Sequence, residues 1–265
     1  MQYVARLYHA ELRRRLALLR RYVLGTVADI ATFYLIFMGI FMSIRSVVGQ
    51  VRPEELSQIA TAQVVGFLAF YFASMVLSFV NNHLREEAEQ GTLEQLFVSS
   101  RWFVLVLFAR LEAAFTVDLI RFVPLYLLLS VSTGVYIRLT LSTILVFFLL
   151  LLGVYGFALF LGGMTLLFKR TGQLPFLFQV LFLGFSFSSL SQLPKGVETL
   201  TSLLPFAKGV TMLKEIAVHG SNASMLSSTA FFQLLANAVA YMVAGLAFFI
   251  WTERLSKQKG LLGRY

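Results

Sequence analysis

The chain has 265 residues, of which 58% are hydrophobic and 13% charged, whereas soluble domains carry about 25% charged residues. This composition excludes a large soluble domain. It also places the net charge of +9 at a membrane surface, so we expect no nucleic-acid partner. The absence of cysteine excludes a disulfide scaffold and a thiolate nucleophile, and the three histidines are too far apart to predict a metal site.

Six stretches are apolar enough and long enough to cross a membrane, which takes about 20 residues. In chain order they cover residues 23–44, 60–80, a part of 102–134, 141–168, 174–190 and 229–251. The pattern predicts an all-α integral membrane protein with six transmembrane helices. We expect residues 1–265 to form a single transmembrane domain.

The first 22 residues are predicted to form an amphipathic helix at the membrane interface. Apolar side chains recur on one face from Val4 to Leu19, while arginines line a flank. Arg15 interrupts the apolar face, and we expect it to reach towards the headgroups. The helix serves either to fix the topology or to contact a partner.

The distribution of basic residues sets the orientation. With the N-terminus in the cytoplasm, fourteen Lys and Arg lie on the cytoplasmic side and six on the other side. By the positive-inside rule, both termini are therefore cytoplasmic. The loop between the second and third spans, residues 83–100, is then cytoplasmic as well.

This loop carries an acidic, well-capped segment. Gly91 is suited to end a helix, and Thr92 with Gln95 fits a capping box that starts a new one. The segment combines an acidic rim with apolar tips, formed by Glu86, Glu87, Glu89, Glu94, Leu93, Leu96 and Phe97. It is either a short rigid helix that docks into a cytosolic partner or an ordinary solvated loop helix.

Charged residues also fall inside the predicted spans. Asp29 lies in the first span, and Asp118 and Arg121 lie in the third at a spacing that allows an ion pair on one helix face. Ionisable groups in a membrane are costly and are often functional. These residues either line a path through the protein or tie helices together.

A second unusual segment, residues 192–226, lies between the last two spans. It contains two of the five prolines and a helical pattern around Val210 and Leu213 that is too short to cross a membrane. Irregular backbone at membrane depth is tolerated only where protein buries it or where it lines a cavity. We expect the segment to line or plug an outer mouth; the alternative is a loose external loop.

The run Glu87-x-x-x-Gly91-Thr92-Leu93-Glu94-x-Leu96, placed after the second span, resembles the signature of type-2 ABC exporter permeases. A softer resemblance lies before the last span, in Leu193-Pro194-x-Gly196 and Leu204-Pro205-Phe206, followed by Lys214-Glu215-x-x-x-x-x-Gly220. The resemblance implies that the first run is a coupling helix held by an ATP-binding subunit. It implies that the second forms short re-entrant helices, with Pro194, Gly196, Pro205 and Phe206 as an outer gate.

The resemblance also implies that the second and fifth spans flank a central path in a dimer of such subunits. Aromatic and Met side chains form stripes on both spans, namely Phe67, Phe70, Tyr71, Met75, Phe178, Phe182 and Phe185. They would suit an amphipathic cargo. The alternative for each is contact with lipid or helix packing.

The chain contains no G-x-x-x-x-G-K-[ST] loop that could cradle ATP phosphates, so we expect it not to be an enzyme and to carry no cofactor. ATP and Mg would belong to a pair of cytosolic ATPase subunits. The expected function is the permease subunit of an ATP-driven exporter of a drug, lipid, glycolipid or peptide. It would act with a second permease subunit, surrounded by membrane lipid, in the cytoplasmic (inner) membrane of a prokaryote.

Two other classes of function remain open at the level of sequence. An ATP-independent secondary transporter or channel would need inverted repeats or a broken helix, and Pro124 could break the third span. A membrane-embedded enzyme would need a nucleophile with its base, or a set of metal ligands, and the sequence assembles neither.

Overall fold

The computed structural model describes residues 2–48, 52–89, 103–168, 173–188, 196, 201, 203–220 and 228–258. Within these ranges there are eight helices of eight residues or more and no strand. The helices are α1 Gln2–Arg21, α2 Val23–Val48, α3 Pro53–Glu89, α4 Phe103–Thr133, α5 Leu141–Phe168, α6 Leu174–Phe187, α7 Pro205–His219 and α8 Thr229–Gln258.

Five of the helices that the structure describes, α2, α3, α4, α5 and α8, are long and apolar enough to cross a membrane. The chain is therefore a helical, multi-pass membrane protein. The stretch predicted as the fifth span forms α6, which has 14 residues. At 1.5 Å per residue it is about 21 Å long, shorter than the hydrocarbon core of about 30 Å. A sixth crossing stays a prediction.

Helix α3 is the axis of the bundle. It has 37 residues and packs against α2, α4, α5, α6 and α7. The apolar part of α3 is 83% buried, whereas that of α2 is 11% buried. A helix that is hydrophobic on all sides belongs at the centre of a bundle, and its position at the centre fixes the surroundings of every site described below.

Helices α5 and α8 form the closest pair, because glycines let their backbones meet. A Cβ built on Gly245 would lie 1.8 Å from the carbonyl oxygen of Gly156. Gly162 instead faces α3, where a Cβ would lie 2.8 Å from Val80 Cγ1. Small residues at such positions are the usual device for close helix packing in membranes.

Helix α4 runs through Pro124 without interruption. The expectation that this proline could break the third span is therefore wrong. A proline removes one backbone hydrogen bond, and within a membrane bundle neighbouring groups compensate for that loss.

Candidate functional site

The last turns of α3 and the first turns of α4 are joined by a polar cluster. His83 and Glu87 are four residues apart on α3, which places them on one face. The Arg110 guanidinium of α4 donates one hydrogen bond to His83 Nε2 and another, of 3.0 Å, to Glu87 Oε1. Since His83 accepts at Nε2, its proton lies on Nδ1 and the ring is neutral. The side chains of Glu87 and Arg110 are 17% and 15% exposed, so the ion pair is largely removed from solvent.

The same cluster reaches α1. The Phe79 ring stacks on the His83 ring with centroids 5.4 Å apart. The Arg15 guanidinium of α1 lies 4.8 Å from the Phe79 ring centroid, a distance typical of a cation–π contact. Glu11, which is buried, pairs with Arg15 Nε at 3.2 Å. Burial lowers the pKa of the Arg15 guanidinium, and the Glu11 carboxylate opposes that shift.

Arg15 therefore does not reach towards the headgroups as expected from the sequence. Its charge turns inward because Glu11, one turn earlier, and the Phe79 ring supply a buried partner and a packing surface. Glu11 and Arg15 are the functional candidates that sequence reasoning missed. Their signal was available: a carboxylate and a guanidinium four residues apart on the face that carries Tyr8 and Leu12.

We call Glu11, Arg15, Phe79, His83, Glu87 and Arg110 the α1–α3–α4 cluster. It fastens three helices at the point where residues 90–102 leave α3 and return to α4. Within the part of the chain that the structure describes, no group of three His, Asp or Glu residues could hold a metal ion. The contacts of the cluster connect α1, α3 and α4.

Of the residues assigned to ATPase coupling, Glu87 belongs to this cluster and Glu86 is exposed beside it. Glu89 is the last residue of α3. The remaining residues of the assignment lie outside the described part of the chain; they are Gly91, Thr92, Leu93, Glu94, Leu96 and Phe97.

The aromatic residues assigned to a translocation path pack mostly within the chain. Phe67, Phe70 and Tyr71 are buried and contact Phe33 of α2, with ring centroids 5.0–6.4 Å apart. Phe178 meets Phe157 of α5 edge-on at 4.6 Å. Met75 and Phe185 are partly buried. These contacts agree with the alternative that the aromatic residues pack helices together. Their assignment to a translocation path stays a prediction.

Two of the predicted outer-gate residues, Pro205 and Phe206, lie at the start of α7. Pro205 opens the helix, and Phe206 is fully buried with its ring stacked on Phe182 of α6 at 4.6 Å. Gly196 is exposed, and Pro194 lies outside the described residues. Helix α7 also packs closely on α5, because a Cβ on Gly209 would lie 2.8 Å from Leu150 Cβ. Helix α7 thus packs within the bundle, against α5 and α6.

Lys214 of α7 caps the end of α6. Its ammonium donates hydrogen bonds to the carbonyl oxygens of Phe185 (2.8 Å) and Ser188 (2.9 Å), at the end of α6. The last carbonyls of a helix have no hydrogen-bond partner inside it, and a cation there also interacts favourably with the helix dipole. Gly66 of α3 makes room, since a Cβ there would lie 2.4 Å from the Ser186 carbonyl oxygen. Sequence reasoning missed this role of Lys214.

The charged residues inside the spans differ in their surroundings. Asp118 and Arg121 form an ion pair at 3.6 Å within α4, and both side chains are partly buried. Asp29 of α2 is exposed on the surface of this single chain.

Neither a family model nor a curated protein matches this sequence.

Proposed function

We propose that this chain is the permease subunit of an ATP-driven exporter, similar in organisation to type-2 ABC permeases. The observation that carries the proposal is the α1–α3–α4 cluster. It ties together, by Glu87 and Arg110, the ends of the two helices between which the acidic loop of residues 83–100 lies in the sequence. A force applied to that segment would reach α3, α4 and α1 together.

The segment itself has the chemistry of a docking element. Its sequence offers carboxylates around a few apolar tips, and the largely buried ion pair of Glu87 fixes the helix from which it emerges. The partner would be a pair of cytosolic ATPase subunits that bind ATP and Mg. Closure of that pair on ATP would push the segment and tilt the helices on both sides of it.

The α6–α7 region supports the same proposal from the other end of the bundle. A partly buried lysine caps the end of the short helix α6, and α7 packs against α6 through Phe182 and Phe206. Such a discontinuous element suits an outer gate that opens when α3 moves, since both α6 and α7 contact α3. A second permease subunit would complete the path, with six crossings in each. The cargo would be amphipathic, and export would occur across the cytoplasmic membrane of a prokaryote.

The second candidate is an ATP-independent secondary transporter or channel. The observation that favours it is the same discontinuity, because transporters of that class bind substrates at helices broken near the membrane midplane. The two candidates differ in whether an ATPase is bound.

The test is affinity purification of the tagged chain from native membranes, with mass spectrometry of the proteins that accompany it. We expect a stoichiometric soluble ATPase, which is lost when residues 86–96 are scrambled or when Glu94→Lys is introduced. Glu54→Lys is the matched control, because this exposed carboxylate lies in the first turn of α3, at the opposite end of the helix. A chain that purifies without an ATPase would favour the secondary transporter.

A further inference from the structure

Helices α4 and α5 are joined by a short connection, residues 134–140, yet they make few contacts with each other. Both pack on α3 instead. Consecutive helices with short connections are usually neighbours, so this separation leaves a gap on the side of the bundle. The gap is a groove of about 290 Å³ that opens sideways.

The groove has a buried floor and an exposed rim. The floor consists of Leu68, Ala69 and Phe72 of α3, which are buried. Phe72 is surrounded by Phe115, Phe122 and Phe147, whose ring centroids lie 5.1–5.6 Å from its own. The rim includes Leu119, Leu139, Ile144 and Phe148, which are exposed. Thr143 is the single polar side chain of the lining. Water gains few hydrogen bonds in such a site.

A second cavity of about 170 Å³ continues the groove, because Phe115 and Phe148 line both. Its lining is mostly apolar and adds two polar side chains, those of Glu112 and Tyr155. Together they follow α4 from Phe122 to Phe108, which is about 21 Å of helix. Half of the hydrocarbon core is about 15 Å deep. The groove therefore has the length needed by one acyl chain of a single leaflet.

The mouth of the groove carries a positive charge. Ile137 and Leu139 of the α4–α5 connection line the groove, and Arg138 between them is exposed. The Ile137 amide donates to the Tyr126 hydroxyl at 3.1 Å, which fastens this part of the connection to α4. An arginine beside an apolar groove at the end of a membrane bundle is placed to bind a lipid phosphate.

We infer that this groove binds one acyl chain of an anionic phospholipid from the surrounding leaflet, with Arg138 holding the phosphate. A helix of another protein is too large, because 10 Å of helix occupies about 800 Å³. A bare peptide strand would leave its backbone groups unpaired in this lining. The inference depends on the membrane class of the chain and is independent of the exporter proposal.

The test uses native mass spectrometry of the purified chain in micelles that contain either dioleoyl phosphatidylglycerol or dioleoyl phosphatidylcholine. We expect the wild-type chain to retain one phosphatidylglycerol per protomer, in preference to phosphatidylcholine by about fivefold. Both lipids carry a phosphate, but choline neutralises the charge of phosphatidylcholine, and the attraction of one arginine to an anionic lipid is about 1 kcal/mol. Arg138→Gln should remove this preference. Arg45→Gln, an exposed arginine at the end of α2, should leave it unchanged.

Two pairs of variants test the groove itself. Ile144→Trp and Leu119→Trp place an indole on its rim and should reduce retention of phosphatidylglycerol at least tenfold. Leu145→Trp and Ile120→Trp are the matched controls, because these neighbours are equally exposed and do not line the groove. Two blocking variants on different helices keep the test valid if one of them fails to fold. Equal retention by blocking and control variants would overturn the proposal, and so would an unchanged lipid preference in Arg138→Gln.

Discussion

At the scale of single residues, Glu87 has two separate tasks. Its carboxylate neutralises Arg110 across the gap between α3 and α4, and it sits at the start of the acidic segment proposed to dock an ATPase. The first task is structural and the second concerns a partner. They are separable because Glu94 belongs to the acidic segment alone.

Glu87→Lys should destabilise the protein by about 3 kcal/mol, because it leaves the Arg110 guanidinium without its partner and adds a second cation beside it. Combining it with Arg110→Glu restores opposite charges and should recover most of that loss. The measurement is thermal or denaturant-induced unfolding in detergent, analysed as a double-mutant cycle. If the double variant loses as much unfolding free energy as the two single variants lose together, the two side chains are not energetically coupled.

Lys214→Met should destabilise the bundle by about 2 kcal/mol, because it leaves the carbonyls of Phe185 and Ser188 without a donor in an apolar setting. Lys208→Met, on the same helix, is the matched control, since its ammonium bonds the Gln233 side chain at an exposed contact. Comparison of the two melting temperatures in one detergent checks the prediction. Equal melting temperatures would mean that Lys214 does not cap α6.

At the scale of helices, the sequence predicts the existence and type of most elements but not where α6 ends. Hydrophobic length identifies α2, α3, α4, α5 and α8, because a helix that crosses a membrane satisfies its own backbone and needs only apolar side chains. The end of α6 contacts Lys214 and Gly66, which lie 29 and 120 residues from Phe185 and Ser186. Such long-range contacts are invisible to local pattern.

The α5–α8 contact gives a prediction at this scale. Gly245→Ala should lower the melting temperature strongly, because the new methyl would collide with the Gly156 carbonyl oxygen and force two long helices apart. Gly39→Ala in α2 is the control: no atom lies within 4 Å of a Cβ there, and alanine improves helix propensity by about 1 kcal/mol. The measurement is the melting temperature of both variants in the same detergent. A Gly245→Ala variant with the wild-type melting temperature would contradict the close approach of α5 and α8.

At the scale of the whole molecule, the distribution of basic residues predicts cytoplasmic termini, and this orientation can be tested. Because the chain has no cysteine, single introduced cysteines report on topology without background. Tyr136→Cys, in the exposed α4–α5 connection, should react with a membrane-impermeant maleimide in intact cells. Gln258→Cys, at the end of α8, should react only after the cells are opened. Labelling of Gln258→Cys but not of Tyr136→Cys in intact cells would show that the orientation is the opposite of the predicted one.

Half of the candidate site was within reach of sequence reasoning. Glu87 stands out through its place in an acidic segment, whereas its partner Arg110 lies 23 residues later on another helix. The spacing of Glu11 and Arg15 indicates that the two side chains can pair, whereas the contact of Arg15 with Phe79 of α3 could not be predicted from local pattern. Sequence locates the charges, and tertiary packing decides which of them meet.

The length of α3 has a mechanical consequence. Its 37 residues extend about 55 Å, nearly twice the about 30 Å of hydrocarbon, so both of its ends reach beyond the hydrocarbon core. Under the proposed function the helix would act as a rigid lever, and a tilt of about 10° around its midpoint would move either end sideways by about 5 Å. Because Glu87 lies near one end, a sideways push of that size on one side of the membrane would produce an equal and opposite displacement on the other side.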